Sequence, residues 1–266
     1  MVYYHSLKKK RQSRQKKLLF LAAAFLVFLA GLGLIRLIVF SRLFELTSIF
    51  VTSNPNLPRA EVIASLEPLL LDKSKFDKYL GLQNVWVWGL NQNIKDSFLK
   101  EVPLAADLTV NRSFFHRSVT VSVEERSKTF LWCEAKSQTC FWVDDNGVIF
   151  EPADLSSASS SDYLISDSTG RPLKILAQAL PQNFFQNLRS DFAFLKELNI
   201  QPREAEISDL NYREFAVKTV DGKTVYFSLT FNPILDATAV QNFIKSGVWA
   251  KLSYLDLRIE DRIYYR

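Results

Sequence analysis

Few residues in this chain are of types that do chemistry, and their spacing says mostly what they cannot do. Beyond residue 40 there is one histidine, His116. Nucleophilic catalysis would need it beside a positioned serine and a carboxylate, and no nucleophile-elbow pattern is present. It reads as a surface histidine in a hairpin loop. Carboxylates are scattered, with no pair set apart as acid and base. Glu124-Glu125-Arg126 has an active-site composition but reads as a solvated strand end with an ion pair. A glycine-rich phosphate loop and a metal-ligand cluster are both missing, so no enzyme activity, cofactor, metal or small-molecule substrate is expected. Asn111-Arg112-Ser113 fits the glycosylation pattern and reads as coincidence.

The remaining reactive pair is Cys133 and Cys140, in Phe130-Leu-Trp-Cys-Glu-Ala-Lys-Ser-Gln-Thr-Cys-Phe-Trp-Val143. Apolar and aromatic residues flank a polar centre, which predicts a hairpin with its loop near Glu134–Thr139. Cysteines facing each other across such strands bring their Cβ atoms within disulfide reach. In an oxidising compartment a disulfide is the favoured reading, with two buried thiols as the alternative. Zinc wants four ligands, and this spacing suits no common site.

Which compartment applies follows from the charge distribution. The chain has 266 residues, 33 Lys+Arg and 28 Asp+Glu, for a net charge of +5. Eight of the basic residues (Lys8, Lys9, Lys10, Arg11, Arg14, Lys16, Lys17 and Arg36) lie in the first 40, which hold no acid. That leaves 25 basic against 28 acidic residues, a slightly acidic body with no basic face for nucleic acid. From Leu18 to Phe40 only Arg36 interrupts an apolar run. At 1.5 Å per residue the run reaches about 34 Å, enough for a hydrocarbon core of roughly 30 Å. Arg36 sits near one end, where its stem can snorkel. A cleaved signal peptide would have a shorter apolar region and a small-residue cleavage site, and neither is present. The basic excess before the segment predicts a cytoplasmic N-terminus and a body outside the cytoplasmic membrane.

The body is predicted as strands and helices in a definite order. Phe44–Ser53 reads as a strand, and Asn54-Pro-Asn-Leu-Pro58 opens a helix with Val62, Ile63, Leu66, Leu69 and Leu70 inward. A looser stretch through Val85–Trp88 leads to a second helix with Leu90, Ile94 and Phe98, stopped at Pro103. Two alternating strands, Ala105–Asn111 and Val119–Glu125, follow. Beyond Arg126 the pattern is strand-rich, with a tight turn at Asp145-Asn-Gly147, a Ser-rich loop at Ser156–Ser161 and an amphipathic helix over Pro181–Leu198 that stops at Asn199. Phe215–Val220 and Thr224–Leu229 flank Asp221-Gly222 as a hairpin. Asp236 caps a further helix. One long strand, Leu252–Arg266, closes the chain, with Leu255, Leu257, Ile259, Ile263 and Tyr265 on one face. An apolar, aromatic terminus of this kind is either paired or awaiting a partner.

With these residues in view, the chain resembles the FtsQ/DivIB family of bacterial division proteins over nearly its whole length. The likeness rests on the basic tail, the single anchor and the strand ending Ile49-Phe-Val-Thr-Ser-Asn54. It continues through Asn111-Arg-Ser-Phe-Phe115 with Val119-Thr-Val-Ser-Val-Glu-Glu-Arg126, Phe130-Leu-Trp132, Val143-Asp144 and Gly147-Val-Ile-Phe150, and ends on Tyr254-Leu-Asp-Leu-Arg258. Ser53 stands where the family has Gly, His116 near its Pro, and the loop Leu71–Asn91 is expanded. The resemblance implies an α+β chain with a cytoplasmic basic tail (1–17) and a single transmembrane helix (18–40). A POTRA domain of β-α-α-β-β order (41–126) and a mixed β domain with packed helices (127–266) follow. It implies a non-catalytic scaffold of the division septum, the alternative being a POTRA-bearing scaffold of secretion or envelope assembly. In the family, the segment after Asp-Leu-Arg accepts a strand from FtsB, which acts with FtsL. By position this marks Arg258, Ile259, Glu260, Asp261, Arg262, Ile263, Tyr264 and Tyr265 as partner-binding residues.

Overall fold

The structure, a computed structural model, describes residues 2–39, 41–157, 163–233 and 237–266. The cap expected of Asp236 lies outside them, as do residues 158–161 of the Ser156–Ser161 loop. The chain forms two compact units: one of Met1–Phe98 with Leu108–Val123, the other of Leu99–Asp107 with Glu124–Arg266.

The first unit begins with α1 (Val2–Val39), whose Leu19–Arg36 stretch is long and apolar enough to cross a membrane. The helix is continuous back through the basic segment. A 3₁₀ turn at Arg42–Phe44 leads into β1 (Ser48–Thr52), shorter than the expected strand. The amides of Leu46 and Thr47 bond the distant carbonyls of Gln83 and Arg117 instead of joining a strand ladder.

Pro58 precedes α2 (Arg59–Leu71), where its missing N–H costs nothing, and Val62, Leu66 and Leu70 are buried at four-residue spacing. The expanded loop is not loose. It holds α3 (Lys75–Leu80), whose Asp77 amide donates to the Ser74 hydroxyl at 3.1 Å, and which ends at Gly81 with φ 71°. A 3₁₀ turn at Val85–Trp88 then buries Val85, Val87 and Trp88 completely, and the Trp88 indole donates to the Leu82 carbonyl. The Lys73 ammonium donates to the carbonyl of Val87, and its burial lowers its pKa. α4 (Gln92–Glu101) starts where the Asn91 side chain accepts the Ile94 amide, and it buries Ile94 and Phe98.

Two further strands complete a three-stranded sheet, β2 (Ala105–Ser113) and β3 (Ser118–Glu125). The sheet order is β1-β3-β2, with β1 parallel to β3 and Ile49 opposite Val119. Val119, Val121 and Val123 are buried as their alternation predicts. In β2, Ala105 and Leu108 are buried, while Ala106 and Val110 are only half-buried.

The second unit is a nine-stranded mixed sheet in the order β12-β11-β10-β9-β8-β7-β4-β5-β6. Its strands are β4 (Phe130–Glu134), β5 (Cys140–Val143), β6 (Ile149–Ala153), β7 (Tyr163–Asp167), β8 (Pro202–Ile207), β9 (Glu214–Thr219), β10 (Thr224–Ser228), β11 (Tyr254–Ile259) and β12 (Arg262–Tyr265). Its helices are α5 (Gln182–Glu197) and α6 (Ala237–Lys245). The main core joins one sheet face, including Trp132, Ile165, Val217 and Leu255, to Phe185, Leu188, Phe192 and Leu195 of α5. Each such side chain contributes about 1.5–3 kcal/mol by burial. Phe130 stands edge-on to Phe185 and Phe192, with ring centroids 5.4 and 5.6 Å apart.

The turns follow local chemistry. Gly147 has φ 81°, and Asp144 accepts the amides of Asn146 and Val148 at 2.9 Å. Asn199, at φ 56°, ends α5 as expected. Asp191 of α5 breaks the pattern. It is fully buried, neither carboxylate oxygen has a hydrogen-bond partner among the described residues, and burial pushes its pKa up to about 9.

Candidate partner-binding edge

The expected closing strand is two strands. β11 runs to Ile259, the chain turns at Glu260-Asp261 with Asp261 at φ 59°, and β12 returns antiparallel. A single strand over Leu252–Arg266 is therefore wrong, but its shared face survives the turn for every member except Ile259, because Tyr265 stands directly opposite Leu255. Leu255 and Leu257 are buried, Ile259 is exposed, and Ile263 packs on the core from the neighbouring strand. An Asp in the left-handed region is what a tight turn accepts and a strand does not.

The register decides which backbone groups are open. Tyr254 and Arg266 exchange both main-chain hydrogen bonds, at 3.3 and 3.4 Å. Antiparallel pairs alternate between bonded and non-bonded, so Asp256 opposite Tyr264 is bonded and Leu255 opposite Tyr265 is not. The N–H and C=O groups of Ile263 and Tyr265 thus point away from β11. β12 is the last strand of the sheet, so these groups lie along an unpaired edge among the described residues.

The opposite edge is closed. Its strand β6 carries Pro152, which has no N–H to offer. The start of β6 is covered by residues 176–179, where the Ile149 amide donates to Ala177, the Leu176 amide to Ile149 and the Ala179 amide to Gly147.

The eight sequence-marked residues divide accordingly. Arg262, Ile263, Tyr264 and Tyr265 form the edge strand, and Glu260 and Asp261 form its turn. Ile259 is 51 %, Tyr264 44 % and Tyr265 52 % exposed, and the Tyr265 ring meets Phe243 of α6 edge-on at 4.9 Å. Arg258 has another task. It bonds Asp256 through two nitrogens at 2.9 and 2.7 Å and Glu214 of β9 at 2.8 Å, and its guanidinium lies over the Tyr226 ring of β10. It ties three strands together across one sheet face. Burial pulls the Asp256 carboxyl up, but hydrogen bonds from Arg258 outweigh it and hold that carboxyl below its ordinary range. Bonds from Asp256 and Glu214 push the Arg258 guanidinium higher still. Sequence reading missed Glu214, Tyr226 and Phe243. The local signal for the turn was Glu260-Asp261, which puts a polar residue, Asp261, at a position the alternation would fill with an apolar one.

Cys133 and Cys140 are directly opposite in the β4–β5 register, with Cα atoms 4.0 Å apart, and their sulfurs are bonded. His116 sits in the β2–β3 turn, its Nδ1 2.9 Å from the Ser113 hydroxyl. Arg126 departs from its sequence reading. Its side chain is only 10 % exposed and pairs with buried Asp144, while its Nε donates to the Pro103 carbonyl. Among the described residues no group of three or more His, Cys, Asp or Glu is placed to hold a metal ion.

Comparison with known protein families and with curated proteins finds no match for this chain.

Proposed function

We propose that this chain is a non-catalytic, single-pass membrane scaffold of the bacterial division complex, of the FtsQ/DivIB type. In this reading α1 crosses the cytoplasmic membrane with its basic end inside, and both units lie outside. The first unit is a POTRA domain. The second receives a strand from an FtsB-type partner, which acts with an FtsL-type protein, and so links them to septal wall synthesis.

The observation that supports it most is the open edge of β12, directly after Tyr254-Leu-Asp-Leu-Arg258. An added strand pairs with the backbone, and alternate side chains select it. Ile263 and Tyr265 offer two donors and two acceptors. At about 0.5–1.5 kcal/mol net per bond these give about 2–6 kcal/mol. Micromolar affinity needs about 8 kcal/mol. The exposed faces of Ile259, Tyr264 and Tyr265 must supply the rest. The β1-β3-β2 sheet with helices between β1 and β2 is consistent with POTRA order.

A fluorescent fusion tests the cellular role. Midcell bands in dividing cells and filamentation on depletion are the expected results. An even membrane signal with normal cell length on depletion would overturn the division reading in favour of a secretion or envelope-assembly scaffold.

A further inference from the structure

The residues just after α1 hold an aromatic and basic cluster that the strand-adding edge does not use. Arg42 is three residues past Val39, the end of the helix, and so at most about 11 Å of chain from it. The headgroup layer extends about 5–7 Å beyond the hydrocarbon core on each side. Onto this short segment the β2–β3 turn is bonded. The Arg117 guanidinium donates to the Arg42 carbonyl at 3.3 Å, and the Thr47 hydroxyl donates to the carbonyls of Arg117 and His116 at 2.9 and 3.2 Å. Phe44, Trp86 and Phe114 pack as a trio, with Trp86 and Phe114 centroids 4.8 Å apart. Arg112 lies over Phe114 and bonds the Trp86 carbonyl.

Two aromatic side chains of this cluster are left open at the surface. Phe115 is 100 % exposed although its neighbour Phe114 is packed, and Trp86 is 43 % exposed. A fully exposed phenylalanine at a turn tip contributes nothing to the core. Three arginines belong to the same cluster: Arg112 over Phe114, and Arg117 bonded to the carbonyl of Arg42. Aromatic side chains with basic neighbours, tied to the exit of an apolar helix, match the interfacial belt of a bilayer and the charge of anionic headgroups.

We infer that the turn Phe114–Arg117, with Trp86 and Arg42, seats this unit on the outer face of the same bilayer that α1 crosses, Phe115 entering the headgroup layer and the arginines holding anionic lipid phosphate. The inference rests on α1 spanning the membrane. It would fix the first unit at the membrane surface instead of leaving it on a free tether.

The test uses the full chain in nanodiscs of phosphatidylcholine and phosphatidylglycerol whose acyl chains carry bromine, a contact quencher of tryptophan, at shallow or deep positions. α1 has no native tryptophan, so two added ones are read as differences from the parent chain. Phe28→Trp reports the span, and Phe115→Trp, at a fully exposed site, reports the seat. The added emission of Phe115→Trp is expected to fall about twofold with shallow bromine and little with deep bromine, and Phe28→Trp is expected to show the reverse order. The shallow quenching should weaken when phosphatidylglycerol is omitted. Quenching of Phe28→Trp with none of Phe115→Trp would overturn the seat and leave the span intact, the face then being a protein surface. No quenching of either would overturn the span and the seat with it. Shallow quenching unchanged without phosphatidylglycerol would overturn the role given to the arginines.

Discussion

Leu255 and Tyr265 stand opposite each other as a non-bonded pair between β11 and β12, so the main chain of Tyr265 faces outward while its ring turns in toward Phe243. The same residue therefore holds the last strand to its own unit and leaves its main-chain N–H and C=O facing outward. Side chain and backbone can be separated experimentally. Tyr265→Ala should loosen β12 against α6 and lower stability by about 1–3 kcal/mol in a chemical melt. Tyr265→Phe keeps the ring and should change stability little.

Arg258, although it lies in the segment marked for partner binding, should behave as a structural residue. Arg258→Ala is expected to lower stability by about 1 kcal/mol, a modest figure because the side chain and Glu214 are each 35 % exposed. A double-mutant cycle with Glu214→Gln should recover part of that loss as coupling. Asp256 gives this region a pH signature. Its folded pKa is depressed, so its contribution is present above the ordinary carboxylate value and is lost as pH falls through the lower, folded value. Acid melts of the parent and of Asp256→Asn should therefore converge at low pH.

Asp191 has the opposite sign. Below about pH 4 it is protonated folded and unfolded alike, and it adds no pH dependence. From there up to its folded pKa of about 9, unfolding releases its proton, so stability falls as pH rises. Asp191→Asn should flatten the slope of melting temperature against pH between 5 and 8. Asp191→Leu, which also removes the unpaired polar group, should stabilise by about 1–3 kcal/mol at neutral pH. A slope unchanged in Asp191→Asn would contradict the buried, protonated assignment.

Gly147 is needed on two grounds. Its φ of 81° disfavours a side chain, and a Cβ there would stand 2.7 Å from the Phe185 ring. Gly147→Ala should cost about 2–4 kcal/mol by thermal melt, the turn and the α5 packing failing together.

The Cys133–Cys140 bond closes a short ring, for which chain entropy gives about 2–3 kcal/mol. Alkylation of unfolded, unreduced chain isolated from cells should add no mass, and alkylation after reduction should label both cysteines. Label before reduction would show free thiols instead.

Much of the fold was legible because it is written in local signals. The β9–β10 hairpin was visible in Asp221-Gly222, the end of α5 in Asn199, and the facing of Cys133 and Cys140 in the symmetry of their flanks. What was not legible depended on long-range choices. Residues 42–47 have strand-like composition, yet Leu46 and Thr47 spend their amides on Gln83 and Arg117. The stretch Leu71–Asn91 has no long periodicity, and its order comes from a buried Trp88 and a half-buried Lys73 bonded to carbonyls of the same loop. The terminal hairpin was hidden because alternation of apolar residues runs on through Glu260-Asp261 with unbroken parity. At the candidate edge, position along the chain pointed to the strand that lies last in the sheet. It could not separate Arg258, committed within the sheet, from Ile263, whose backbone is open.

The central claim is that the outward backbone of β12 receives a partner strand, and Ile263→Pro tests it most directly. Proline removes an N–H that faces outward and leaves the bonded groups of Tyr264 and Arg266 in place. The measurement is the affinity of the full chain, in detergent, for the purified FtsB-type and FtsL-type proteins of the same cell. Parent and variant are compared after melts show that the second unit remains folded, and Tyr264→Lys serves as a side-chain variant that keeps the backbone. The expected result is a loss of about tenfold or more for Ile263→Pro and a smaller loss for Tyr264→Lys. Affinity unchanged in a folded Ile263→Pro chain would contradict strand addition at this edge.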